Sequence, residues 1–140
     1  EALKRSAAAV QAVKTGRGGT LAAGPARTNV KLYPDDNPLD ALPFEAKSKL
    51  LADINDYARA KDSRVRQVSA SLSGEWSAIE IVRAGGEIVR DIRPLVRLNV
   101  SVTAGVGDRQ ESGSYGAGGR EGYARFITPD AWRAYVDEAL

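Results

Sequence analysis

A chain of 140 residues with 43% hydrophobic and 27% charged positions has the size and composition of one globular domain able to bury its own core. Twenty basic groups against 18 carboxylates leave a net charge of +2, too little to imply a nucleic-acid partner. Cysteine and histidine are both absent, which excludes disulfides and removes the usual ligands of a catalytic zinc, the commonest general base, and the usual partner of a Ser or Cys nucleophile.

The first fourteen residues place Leu3, Ala7, Val10 and Val13 on one helical stripe that stops at Thr15-Gly16. Lys4 and Arg5 interrupt this alanine-rich start, and no stretch reaches the roughly 18 apolar residues of a span, so neither a signal peptide nor a membrane segment is expected and the default compartment is cytoplasmic. Residues 1–33 hold six basic groups against Glu1 alone, but without interleaved aromatics to stack bases they read as a solvated surface. Glycines at 16, 18, 19 and 24 and prolines at 25, 34, 38 and 43 make the next stretch a long connector, with room for one short extended piece at 29–33. Pro43 suits the first turn of a second helix, in which Leu50, Leu51, Ile54, Tyr57 and Ala58 recur at helical spacing up to about Lys61.

The period then changes to two. Val68, Ala70 and Leu72 alternate with Ser69, Ser71 and Ser73; Gly74 reads as a turn before a second run from Trp76 to Arg83. Residues 84–87 have the glycines of a tight hairpin connection. In the clearest strand, Val96, Leu98, Val100, Val102 and Ala104 share one face, and Arg97, Asn99, Ser101 and Thr103 the other. Pro94 cannot donate to a ladder, so a bulge or an unpaired position is expected there. A turn at 105–109 leads into a glycine-rich stretch, 123–127 reads as extended chain, and Thr128-Pro129 opens a last helix carrying Trp132, Tyr135, Val136 and Leu140. The fold class is α+β, with helices packed on one face of an antiparallel hairpin-linked sheet of three or four strands. The chain has no initiator Met and is inside a helical pattern at both ends, so it reads as a single domain, 1–140, cut from a longer protein.

"GSYGAGGREGYARF", residues 113–126, imitates a phosphate-binding loop, but Glu121 stands where the third glycine of G-x-G-x-x-G should fall, and no Lys-Ser or Lys-Thr follows Gly118. The carboxylates at Asp35 and Asp36 read as turn chemistry, and those at Asp53 and Asp56 as a solvated helix face shared with Lys47 and Lys49, so no metal site is assigned. Arginine supplies 14 of the 20 basic residues; Arg90, Arg93 and Arg97 are expected to pair with Glu75, Glu80, Glu87 or Asp91 across a hairpin, the other reading being a carboxylate-binding or interdomain role.

"VSASLSGEW", then "RDIRPLVRLNVSV", then "GAGGREGY" resembles, in order and spacing, the N-terminal half of the TldD branch of the TldD/PmbA family of zinc metallopeptidases, known formerly as modulators of DNA gyrase. The resemblance spans roughly Leu50 to Tyr123; Tyr115 and Ala117 interrupt what are more often consecutive glycines in the family, and Glu121 and Ala124 depart from it. It implies a peptidase acting on unfolded peptides, in antitoxin degradation and maturation of a peptide antibiotic, usually as a dimer with itself or with a sister subunit. It also implies zinc held by a His-Glu-x-x-x-His helix and a later cysteine beyond Leu140, which leaves this fragment without catalytic residues or metal of its own. The expected role is then substrate binding and dimerisation, with Tyr115, Gly116, Gly118, Gly119, Arg120 and Tyr123 as the substrate-binding residues. Bare glycines would let a peptide backbone approach as an added strand. The same glycines serve equally to make turns and a close sheet-to-helix contact, and the competing function is a noncatalytic scaffold whose sheet binds a protein partner.

Overall fold

The computed structural model describes residues 1–15, 31–83 and 87–140. Its elements run α1 (Ala2–Thr15), α2 (Phe44–Lys61), β1 (Val65–Val82), β2 (Ile88–Val106), β3 (Arg109–Gly119) and α3 (Pro129–Ala139), with the strands in the order β1-β2-β3. This is the α+β fold expected, with an antiparallel three-stranded sheet. The hairpin turn expected at 84–87 falls largely outside the described residues, as does part of the extended piece at 29–33. Two compact units divide the chain: residues 1–32 with 78–92, and residues 33–77 with 93–140.

In the larger unit, α2 buries Leu50, Ile54 and Ala58, and α3 buries Trp132, Val136 and Ala139. Pro43 stands at the N-cap of α2 in extended backbone, one place ahead of the first turn. The Thr128 Oγ1 accepts the Ala131 N–H at 3.3 Å and Pro129 follows it, the cap and first-turn pair legible in the sequence. The Tyr57 ring meets Trp132 edge-on at 5.5 Å, and its hydroxyl donates to Asp137, which also pairs with Lys61, so polar contacts reinforce the apolar junction of the helices. Against these helices lies the apolar row of β2, Leu98, Val100 and Val102, which Val96 continues against Tyr123 and Phe126; each of the four is no more than 2% exposed. Burying a side chain of this type stabilises by about 1.5–3 kcal/mol, which makes the row the main energetic reason for the face assignment.

Two local expectations are corrected. Gly74 makes no turn: β1 runs unbroken through it, and the lack of a side chain answers to close packing, since a Cβ there would collide with the Tyr123 hydroxyl and come within 3.3 Å of Leu39. A glycine inside a strand marks close approach as often as a bend, and here the approaching group is an aromatic side chain 49 residues downstream. The stretch 123–127 is a turn, closed by the Phe126 N–H on the Tyr123 carbonyl at 2.8 Å. The glycine-rich stretch itself is the third strand. Pro94 lies beyond the β3 ladder, which ends at Val96 opposite Gly119, so it is unpaired on that side as expected, and the burial alternation of β2 changes phase just before it, from Val89 and Asp91 to Ile92, Pro94 and Val96. At the other end Val106 pairs with Arg109 across Gly107-Asp108, and positive φ is confined to Gly107 (φ 59), the pattern of a II′ hairpin.

The smaller unit holds α1 and the outer parts of β1 and β2. The Arg83 N–H donates to the Glu87 carbonyl at 2.8 Å and Arg90 pairs with Glu80 at 2.7 Å, the cross-hairpin pairing expected of this arginine. None of its described apolar residues is fully buried, and Leu3 is 78% and Val10 60% exposed.

Candidate functional site

The β2–β3 register sorts the six candidate substrate-binding residues. Gly113, Tyr115, Ala117 and Gly119 lie opposite Val102, Val100, Leu98 and Val96 and therefore share the helix-covered face. There Gly113 admits the Ala139 carbonyl of α3, Tyr115 packs on Tyr135 at 5.3 Å, and Gly119 faces the Phe126 ring. Tyr123 is 4% exposed, in a small core with Val96 and Phe126; burial raises its phenol pKa, and Lys47 lies 5.7 Å from its ring. Gly116 and Gly118 lie opposite Asn99 and Arg97 on the uncovered face. Arg120 is exposed, with its guanidinium 5.4 Å from the Tyr33 ring. The six residues thus do not converge on one surface: three of them stand on the helix side or in the small core.

The uncovered face is a hydroxyl-rich surface. Ser69, Ser71 and Ser73 of β1, Ser101 and Thr103 of β2, and Ser112 and Ser114 of β3 run across it. Some are used internally: Thr103 and Ser112 bond at 2.8 Å, Ser101 donates to the Gly113 carbonyl, and Ser73 to that of Arg97. Two depressions, of about 430 and 400 Å³, lie along the strands and share Arg97 in their lining; Gly116 is in the first, Gly118 and Arg120 in the second. The glycines have different reasons for being there. A Cβ at Gly118 would strike the Val96 carbonyl oxygen and sit 3.0 Å from the Arg97 Cα, so β2's own backbone needs that space. At Gly116 the space is taken by side chains, Asn99 Oδ1 and the Arg97 guanidinium.

The Arg97 Nε donates to Asn99 Oδ1 at 2.7 Å. The expected pairing of this arginine with a cross-hairpin carboxylate is not found: its partner is the amide two residues along its own strand. The sequence places both residues on the outward row without joining them; the i, i+2 spacing in the most regular strand is the signal that could have done so. At the far end of the sheet Asp62 takes a different arrangement, accepting from the Arg64 guanidinium and backbone N–H, and these bonds hold its carboxyl at about 2, below the ordinary 3.8.

The residues do not fit a catalytic zinc. Such sites take three protein ligands drawn from imidazole, thiolate and carboxylate, with at least one imidazole in the usual sets; the chain has neither histidine nor cysteine, and among the described residues no three Asp or Glu side chains converge. Among the described residues no helix is long and apolar enough to cross a membrane.

Residues 37–140 match the family model described as the PmbA/TldA metallopeptidase central domain. The chain is 40% identical over 129 residues to the metalloprotease TldD homolog of Haemophilus influenzae, covering 89% of this chain and 27% of that protein. It is 42% identical over 98 residues to the metalloprotease TldD homolog of Buchnera aphidicola subsp. Schizaphis graminum, covering 70% of this chain and 20% of that protein. The chain therefore spans well under a third of the length of these relatives.

Proposed function

The chain belongs to the TldD/PmbA family of metallopeptidases, and from that premise we propose that it is the substrate-binding and dimerisation part of a cytoplasmic zinc metallopeptidase that acts on unfolded peptides. The observation that carries this reading is the uncovered sheet face. An enzyme that accepts unfolded chains must hold an extended backbone while reading few side chains. A surface of hydroxyls and glycines offers hydrogen bonds and room for a backbone with little side-chain readout. Gly116, Gly118 and Arg120 border that surface; Tyr115, Gly119 and Tyr123 support it from the helix side. In this reading the zinc belongs to residues outside these 140, ahead of which this domain lies, and the dimer partner is a second copy or a sister subunit.

The test is site-specific crosslinking in the full-length protein. A photoreactive residue replacing Ser101 or Ser114 should label an unstructured peptide, whereas one replacing Arg59 on the solvated side of α2 should not. Equal labelling from both sides, or none from the sheet, would overturn the reading. A full-length protein without chelator-sensitive cleavage would favour the scaffold alternative, and light scattering on the same preparation reports the dimer.

A further inference from the structure

We propose that Arg97, seated on Gly116 and held by Asn99, is a carboxylate-binding site for the peptide that lies on the open face. The inference rests on the reading of that face as a peptide-binding surface and adds what it selects.

The guanidinium is fixed from two directions. Asn99 Oδ1 takes its Nε–H at 2.7 Å, and the missing side chain at Gly116 lets the planar group lie close over β3, with Nη2 only 3.2 Å from where a Cβ would stand. With Nε occupied, the Nη1–Nη2 edge remains, and two parallel N–H donors on a fixed plane match the two oxygens of a carboxylate. Among the described residues no carboxylate lies within ion-pair distance of Arg97. Around the same depression Ser69, Ser71 and Ser114 are exposed, and among the described residues none of their hydroxyls has a protein partner, so three further donors are available to an oxyanion. Arg97 is the one charged side chain in that lining. The ligand is therefore complementary in charge and held by donors from all three strands. Its being part of an extended chain follows from the second depression, which continues past Arg97 toward Gly118 and Arg120.

A carboxylate on a peptide has two sources, the C-terminus and an Asp or Glu side chain. Four labelled peptides of one unstructured sequence separate them, ending in acid or amide and carrying an internal Glu or Gln. Binding is read by fluorescence anisotropy on the full-length protein with chelator present to prevent turnover. One of the two acidic forms should bind about ten- to a hundredfold tighter than its neutral counterpart, the range of a charge-assisted hydrogen-bonded contact. Arg97→Gln should erase that preference by weakening only the acidic peptide. Asn99→Asp places a competing carboxylate against the guanidinium and should do the same in a folded protein, as judged by an unchanged melting temperature. Arg97→Lys keeps the charge without the fork and should restore only part of the preference. Equal binding of acidic and neutral peptides by the unaltered protein, or an acid preference that survives Arg97→Gln, would overturn the site while leaving peptide binding intact. Failure of all four peptides to bind would overturn the broader reading and the site with it.

Discussion

Strands β1 and β2 serve in both compact units, and among the described residues the buried side chains lie in one of them. In the larger unit the alternation of β2 becomes a buried row, because α2 and α3 lie over Leu98, Val100 and Val102, and Tyr123 and Phe126 over Val96. In the smaller unit Ile81, Val82 and Ile88 are half exposed, and α1 carries Leu3 and Val10 outward. Alternation makes a strand, whereas burial requires a covering layer with its own apolar stripe. Helix α1 has the period but not the side chains, since alanine supplies much of its length.

That contrast is open to direct attack. The largest effect is expected from Val100→Asp, which buries an unpaired charge under the helices and should cost about 3 kcal/mol or more in urea denaturation. Ser101→Asp on the open face, and Ile81→Asp in the smaller unit, should each stay within about 1 kcal/mol. A loss at Ile81 equal to that at Val100 would show that the outer hairpin has a core of its own.

Next in size is Gly118→Val. Because the space belongs to the Val96 carbonyl and the Arg97 Cα, the expected damage is to the sheet itself, about 2 kcal/mol or more, with a lowered melting temperature. Gly122→Ala, where nothing lies within 4 Å, is the matched control and should be close to neutral. A stable Gly118→Val protein with lost peptide binding would return the glycine to a role in the path of substrate.

The smallest effect sharpens the electrostatic side. Asp62 ionises at about 2 in the folded chain against an ordinary 3.8, so the stability its bonds to Arg64 contribute is present above pH 3.8 and is lost as the pH falls through about 2. Asp62→Asn should therefore be slightly less stable than the parent at neutral pH, the difference being small because the pair is exposed to solvent, and the two should converge as the pH drops toward 2. Urea midpoints across the acid range would show this. A gap that widens in acid would contradict the sign.

The legible parts of the fold are those whose signal is local. The stripe of α2, the Thr128-Pro129 cap of α3 and the two faces of β2 are each written within a few turns or a few pleats, and each stands where its pattern places it. The departures depend on distant partners. Gly74 looks like punctuation until Tyr123 is known to lie across it, and β3 has poor strand propensity because its glycines answer to Ala139, Asn99 and the backbone of β2. The site is legible only in pieces for the same reason: the segment 115–123 contributes to both faces and to a turn, while the sequence shows Arg97 and Asn99 as two outward residues and not as one group.

The contact between Tyr57 and Asp137 spans 80 residues, and it bears on the order in which the chain assembles. The β2–β3 hairpin closes through a two-residue turn and sacrifices little chain freedom, and α3 follows within ten residues of its last strand position. Helix α2 belongs to the same core, but all three strands separate it from α3 in the sequence. Loop-closure entropy grows slowly with length, so the separation costs little at equilibrium and falls instead on the rate. The expected order is therefore the hairpin with α3 first and α2 last, so that Ile54→Val in α2 should chiefly speed unfolding and Val136→Ala in α3 should slow folding in stopped-flow measurements.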